Sequence, residues 1–149
     1  MSIIDEFNYL SLAASASAPE NQRSIVLLDD DPLFQRTMLA VAKRKEIDFI
    51  SCGSFSQFKK VFLQHHPGIV ILDYHLGEEV TGCAIADQIM ENTKVILVSG
   101  SGPWISESNI PKELQLAIAK HGETNCFRFV HKLQGARAIM NNALNMLET

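Results

Sequence analysis

Residues 24–36 read SIVLLDDDPLFQR: an apolar, β-branched run that ends on Asp29, Asp30 and Asp31 and passes straight into Pro32. A short apolar run bounded by such residues is the pattern of a buried strand, and aspartate followed by proline is the pattern of a helix start. The junction is therefore a strand-to-helix turn carrying three carboxylates. The same alternation continues outward from it. Further apolar runs are IDFISC, GIVILD, KVILVS and CFRFV, and the stretches between them have helical periodicity. SFSQFKKVFLQHH puts Phe55, Phe58 and Phe62 on one face, PKELQLAIAKHG opens on Pro111 and stops at Gly122, and GCAIADQIMEN and GARAIMNNALNML supply two more helices. Five strands interleaved with helices predict an α/β fold, a doubly wound parallel sheet covered on both faces.

In such a sheet the ligand site lies beyond the carboxyl ends of the strands. Asp29 and Asp30 follow the first strand, Asp73 the third, Ser99 the fourth and Lys132 the fifth. Residues far apart in the chain thus converge on one edge. Carboxylates gathered there repel unless a cation or raised pKa values relieve them, and Mg2+ suits a few carboxylate oxygens. Beside such an ion Asp73 is placed to attack a phosphoryl group, with Ser99 and Lys132 to bind its oxygens.

IVLLDDD, GIVILDYHL, VILVSGS and FRFVHK, in that order, resemble the landmarks of the response-regulator receiver domain of two-component signalling. The resemblance covers about residues 24–148. It implies a five-stranded flavodoxin-like receiver fold of strand order 2-1-3-4-5. It also implies roles: Asp73 as phosphoacceptor, Asp29 and Asp30 as the acidic pair holding Mg2+ with Asp73 and the His75 backbone carbonyl, Ser99 and Lys132 as phosphoryl-binding groups, and Ser99 with Phe129 as the switch. Asp31 fits a helix cap better than a metal ligand. The implied donor is a histidine kinase or a histidine phosphotransfer protein.

Three departures from that pattern stand out. Leu133 replaces the proline that usually follows the lysine. The span from Ser99 to Lys132 carries an insertion, GSGPWISESNIPKE, with Trp104 expected over the mouth of the site; an ordered lid, a partner-specific surface and a longer loop are all readings of it. LGEEVTG, with Glu78 and Glu79, replaces a proline-containing turn.

At 149 residues the chain suits one domain, here residues 24–149, preceded by an arm and linker at 1–23. Ile3, Phe7 and Leu10 recur at helical spacing before the small, polar stretch AASASAPENQ. The arm reads either as a short helix docked on the domain or as a contact for a partner or a second copy, a homodimer. Only LET follows the last helix, so the expected output is a protein contact.

The net charge of −4 gives no case for nucleic acid or an anionic membrane. No apolar run is long enough for a membrane span, and acids stand where a secretory signal needs lysine or arginine, so the expected location is cytoplasmic. Cys52, Cys83 and Cys126 are odd in number and widely spaced, and are expected to be buried thiols. His75, His121 and His131 form no ligand set. Two rivals remain: a degenerate receiver that binds without phosphorylation, and a phosphatase of the haloacid dehalogenase type. The second needs an aspartate where His75 stands.

Overall fold

The computed structural model describes residues 23–77, 80–90, 93–100, 112–121 and 126–148. The arm at 1–22, Glu78 and Glu79, the Trp104 insertion, Pro111 and Gly122 lie outside the described residues. Strands β1 (Ile25–Leu28), β2 (Phe49–Cys52), β3 (Ile69–Asp73), β4 (Lys94–Ser99) and β5 (Phe127–His131) alternate with helices α1 (Pro32–Arg44), α2 (Phe55–His65), α3 (Gly82–Ile89), α4 (Lys112–His121) and α5 (Ala136–Leu147). A 3-10 turn, Lys132–Gln134, joins β5 to α5.

All strand pairs are parallel, in the order β2-β1-β3-β4-β5 expected from the resemblance. Both faces of the sheet are covered, which is why β1 and β3 are apolar at almost every position rather than at alternate ones. On one face, alternate strand residues such as Val26, Leu28, Val70 and Leu72 pack with Phe55, Phe58 and Phe62 of α2 and Ile85 and Ile89 of α3. On the other, Ile25, Leu27, Ile69 and Ile71 pack with Met38 and Val41 of α1 and Ile139, Met140 and Met146 of α5. Each such side chain removed from water contributes about 1.5–3 kcal/mol. Together they fix the register that lines up the strand ends.

The helix starts are specified locally. Asp31 caps α1 by accepting from Leu33 N, Ser54 caps α2 by accepting from Gln57 N, and Thr81 caps α3 by accepting from Ala84 N. Each satisfies an amide that the first turn leaves without a partner, worth about 1 kcal/mol.

Three expectations are corrected. β2 begins at Phe49 rather than Ile47, because the Ile47 amide donates to Ala42 O and so closes the end of α1, with Glu46 in the left-handed region at φ 55°. β5 runs through His131, one residue later than the apolar run suggested. Cys126 is exposed just before β5, whereas Cys52 and Cys83 are buried and their thiols are pushed up to about 11 and 12 by burial. Among the described residues no helix is long and apolar enough to cross a membrane.

Candidate functional site

The five residues that the sequence places at the sheet edge, Asp29, Asp30, Asp73, Ser99 and Lys132, lie at strand ends or just beyond them. Leu28 and Leu72 are in register on the adjacent strands β1 and β3, so Asp29 and Asp73, one residue on, are neighbours. Asp29, Asp30 and Asp73 each offer an oxygen within 4.8 Å of the others. Asp29 is fully buried, Asp73 is buried and Asp30 is exposed. Lys132 Nζ enters from the end of β5, 2.6 Å from Asp29 Oδ2 and 3.3 Å from Asp73 Oδ2.

Burial is the main force on these groups. It pushes the Asp73 carboxyl from the ordinary 3.8 up to about 7; the negative charge of Asp29 adds to that, while Lys132 pulls the other way. Burial also raises Asp29, outweighing its contacts with Lys132 and with the Asp31 amide. For Lys132 burial works against the charge, but the two carboxylates prevail and hold the ammonium above its ordinary range. A single lysine thus leaves the cluster short of positive charge.

The remaining contacts orient the acids. Asp29 Oδ1 accepts from Asp31 N at 2.9 Å, and Asp73 Oδ1 accepts from His75 N at 3.4 Å. Asp29 Oδ2 has no hydrogen-bond partner beyond its ion contact with Lys132. Ser99 follows Val98, which is in register with Asp73; it is fully buried and its hydroxyl has no partner among the described residues. An unsatisfied buried hydroxyl costs about 1–3 kcal/mol, a cost that binding an oxygen ligand beside it would relieve.

Several neighbours were not legible as site residues. Phe34 lies under Lys132, with Nζ 4.5 Å from the ring centroid. Gln35 donates to Asp29 O at 2.8 Å and accepts from Ser51 at the end of β2. Gly100 lets the lysine stem run close, since a Cβ there would fall 2.7 Å from Lys132 Cδ. Gly77 has φ +66°, and a Cβ on it would lie 2.9 Å from Asp30 Oδ2. Glu113, in the first turn of α4, accepts from Tyr74 Oη at 2.9 Å and from Thr81 Oγ1 at 2.7 Å. Tyr74 directly follows Asp73, and burial together with the Glu113 charge raises its phenol to about 12.

Of the departures noted in the sequence, Leu133 falls on a described residue, and it leaves this geometry intact. No cis peptide occurs among the described residues, and the chain after Lys132 turns through the 3-10 segment with Leu133 exposed. Lys132 nonetheless reaches both acids. Phe129 is half-buried against the core on the α2–α4 side. The His75 side chain is exposed.

Solved structures match this fold over most of the chain. The signal receiver domain of an HD domain-containing protein from Pseudomonas fluorescens is 17% identical, with TM-score 0.68, over 85% of this chain and 95% of that one. Response regulator receiver domain proteins from Clostridium thermocellum and Methanospirillum hungatei are 18% and 13% identical, with TM-scores of 0.65 and 0.66. These cover 84% and 85% of this chain and 94% of each of those. The chain has the fold of a response-regulator receiver domain. No protein-family model matches the sequence, and no curated protein matches it. The receiver fold therefore rests on structure, and the acidic cluster lies on the edge of the sheet where an open α/β fold binds ligands.

Proposed function

We propose that this receiver domain accepts a phosphoryl group from a phosphohistidine, on a histidine kinase or a phosphotransfer protein, onto Asp73 in a Mg2+-dependent reaction. The observation that carries the reading is the carboxylate cluster: three acids within 4.8 Å, two of them buried, with one lysine between those two.

The residues fit the ion. The donor set is all hard carboxylate oxygen, and one lysine faces two buried carboxylates and a third beside them, so the charge is under-compensated. Asp29, Asp30 and Asp73 would hold it, with the His75 carbonyl as the further donor that the resemblance implies. When bound, Mg2+ supplies positive charge to the carboxylates and to the phosphoryl oxygens.

The chain's own groups account for the rest. An Asp73 carboxylate oxygen forms the new O–P bond as the N–P bond to the donor imidazole breaks, and the imidazole leaves with the electron pair. Lys132 supplies a fixed positive charge to the phosphoryl oxygens that replaces its contact with Asp73, and the Ser99 hydroxyl donates to another oxygen. Hydrolysis of the acyl phosphate returns Asp73. Drawing Ser99 inward would free space that Phe129, half-buried on the neighbouring strand, could fill, passing the change to the surface of α4, β5 and α5.

The test is incubation with Mg2+ and acetyl phosphate or beryllofluoride. The wild type gains an acid-stable, base-labile phosphoryl group or a beryllofluoride adduct, and Asp73→Asn gains neither. A wild type that shows no adduct at saturating Mg2+ sinks the proposal and leaves a phosphorylation-independent binding module.

A further inference from the structure

The faces of α1 and α5 are charged in one sense only. Together these helices hold Arg36, Lys43, Arg44 and Arg137 and no acid, so the rest of a chain of net charge −4 stands at −8. Between them runs a cleft of about 670 Å³, lined by Arg36, Arg44 and Arg137 over a floor that includes Ala40, Val41 and Ala136. None of the three arginines forms an ion pair with a described residue, and all three are exposed. The cleft continues past Arg44 and Lys45 to a second hollow bounded by Arg23, Ile47, Leu144 and Leu147. The acids Glu46 and Asp48 line only that far end.

Arg23 is where the N-terminal arm joins the fold. Residues 1–22 contain Asp5, Glu6 and Glu20 and no lysine or arginine, and Asp5 and Glu6 sit among Ile3, Ile4, Phe7 and Leu10. The arm therefore carries −3 beside a surface of +4. Residues 11–22 separate this segment from Arg23 in the sequence, and the random-coil span of twelve residues is roughly 5–6 Å times the square root of the residue number, about 19 Å. From Arg44 to Arg36 along α1 is about 12 Å at 1.5 Å per residue. Arg23 and Lys45 line one hollow, and Lys45 lines the next with Arg44 and Arg137, so the arm's point of attachment lies in line with the cleft.

We propose that the arm of the same chain is the occupant of this cleft. Asp5 and Glu6 pair with Arg44 and Arg137, and Phe7 and Leu10 cover the apolar floor. The arm then masks the α1–α5 face until an acidic partner surface competes for it. This inference does not depend on phosphorylation of Asp73.

The experiment is hydrogen exchange of the full-length protein, read at residues 3–10 and at the amides of α1 and α5. In the wild type, exchange across residues 3–10 is expected to be at least about tenfold slower than in an unstructured peptide. That protection is lost in Arg44→Glu/Arg137→Glu and in Asp5→Lys/Glu6→Lys, and returns when the two charge reversals are combined. The combined variant separates a charge contact from a folding defect. Exchange of residues 3–10 at the unstructured rate in the wild type overturns the proposal, as does protection that survives Arg44→Glu/Arg137→Glu. Protection that disappears on dilution overturns the intrachain form and assigns the cleft to the arm of a second copy.

Discussion

The acidic edge of the sheet and the basic face of α1 and α5 concentrate comparable charge under opposite conditions. At the edge, Asp29 and Asp73 are buried, Lys132 is largely enclosed, and all three are displaced from their ordinary pKa values. On the face, Arg36, Arg44 and Arg137 extend into solvent around an open cleft. The contrast shows what burial does to a charge. Out of water, unlike charges hold one another tightly and like charges become a standing cost that a ligand can remove; in water the same charges serve recognition and cost little.

The largest expected effect that would break this comparison comes from removing one cation at each place. Lys132→Ala leaves Asp29 and Asp73 without their counter-charge. Urea denaturation without metal should show a loss of about 3 kcal/mol near neutral pH, and the rate of phosphoryl labelling should fall about a hundredfold. Arg137→Ala should change stability by less than about 0.5 kcal/mol. Equal losses at the two sites would contradict the difference in burial.

Next comes pH. Asp73 titrates near 7 in the folded protein and near 3.8 as an ordinary carboxyl. Between those values the native state binds more protons than the unfolded one, so the contribution to stability is present below about 4 and is lost as pH rises to about 7. Thermal melts of metal-free protein across that window should fall with pH at this site. Asp73→Asn should flatten the fall and raise the stability near pH 7.5 by on the order of 2 kcal/mol.

A smaller effect is expected at Gly77. Gly77→Ala adds a Cβ against Asp30 Oδ2 at a residue with φ +66°, and chemical denaturation should report a cost of about 1–2 kcal/mol. Mg2+ affinity, followed by fluorescence of the titrated protein, should weaken as Asp30 is displaced. Smallest is Tyr74→Phe, which deletes one hydrogen bond to Glu113 and should cost about 1 kcal/mol in the same denaturation series.

The fold was legible because β1, β3 and β4 are nearly continuous apolar runs closed by aspartate or serine, a pattern that needs no tertiary information. Asp29, Asp30, Asp73 and Lys132 were legible for the same reason: the end of a parallel strand is itself an address. Phe34, Gln35 and Glu113 were not. They lie on helices, and whether they meet the site depends on side-chain direction and helix position, which hydrophobic periodicity does not encode. The start of β2 was misread because Ile47, β-branched and apolar, gives its amide to the end of α1. Cys126 was misread because its neighbours are apolar while its own position precedes the buried part of β5.

Glu113 ties three elements through one carboxylate: Tyr74 at the end of β3, Thr81 at the head of α3 and α4 itself. Thr81 Oγ1 donates to Glu113 while it accepts from Ala84 N. Moving the first turn of α4 away from Tyr74 and Thr81 would break both bonds to Glu113. Two such bonds at about 1 kcal/mol each correspond to a ratio of roughly thirty to one between held and released helix. On the proposed function, release of α4 without phosphorylation, a few parts in a hundred, would then be set by a tyrosine and a threonine rather than by Asp73.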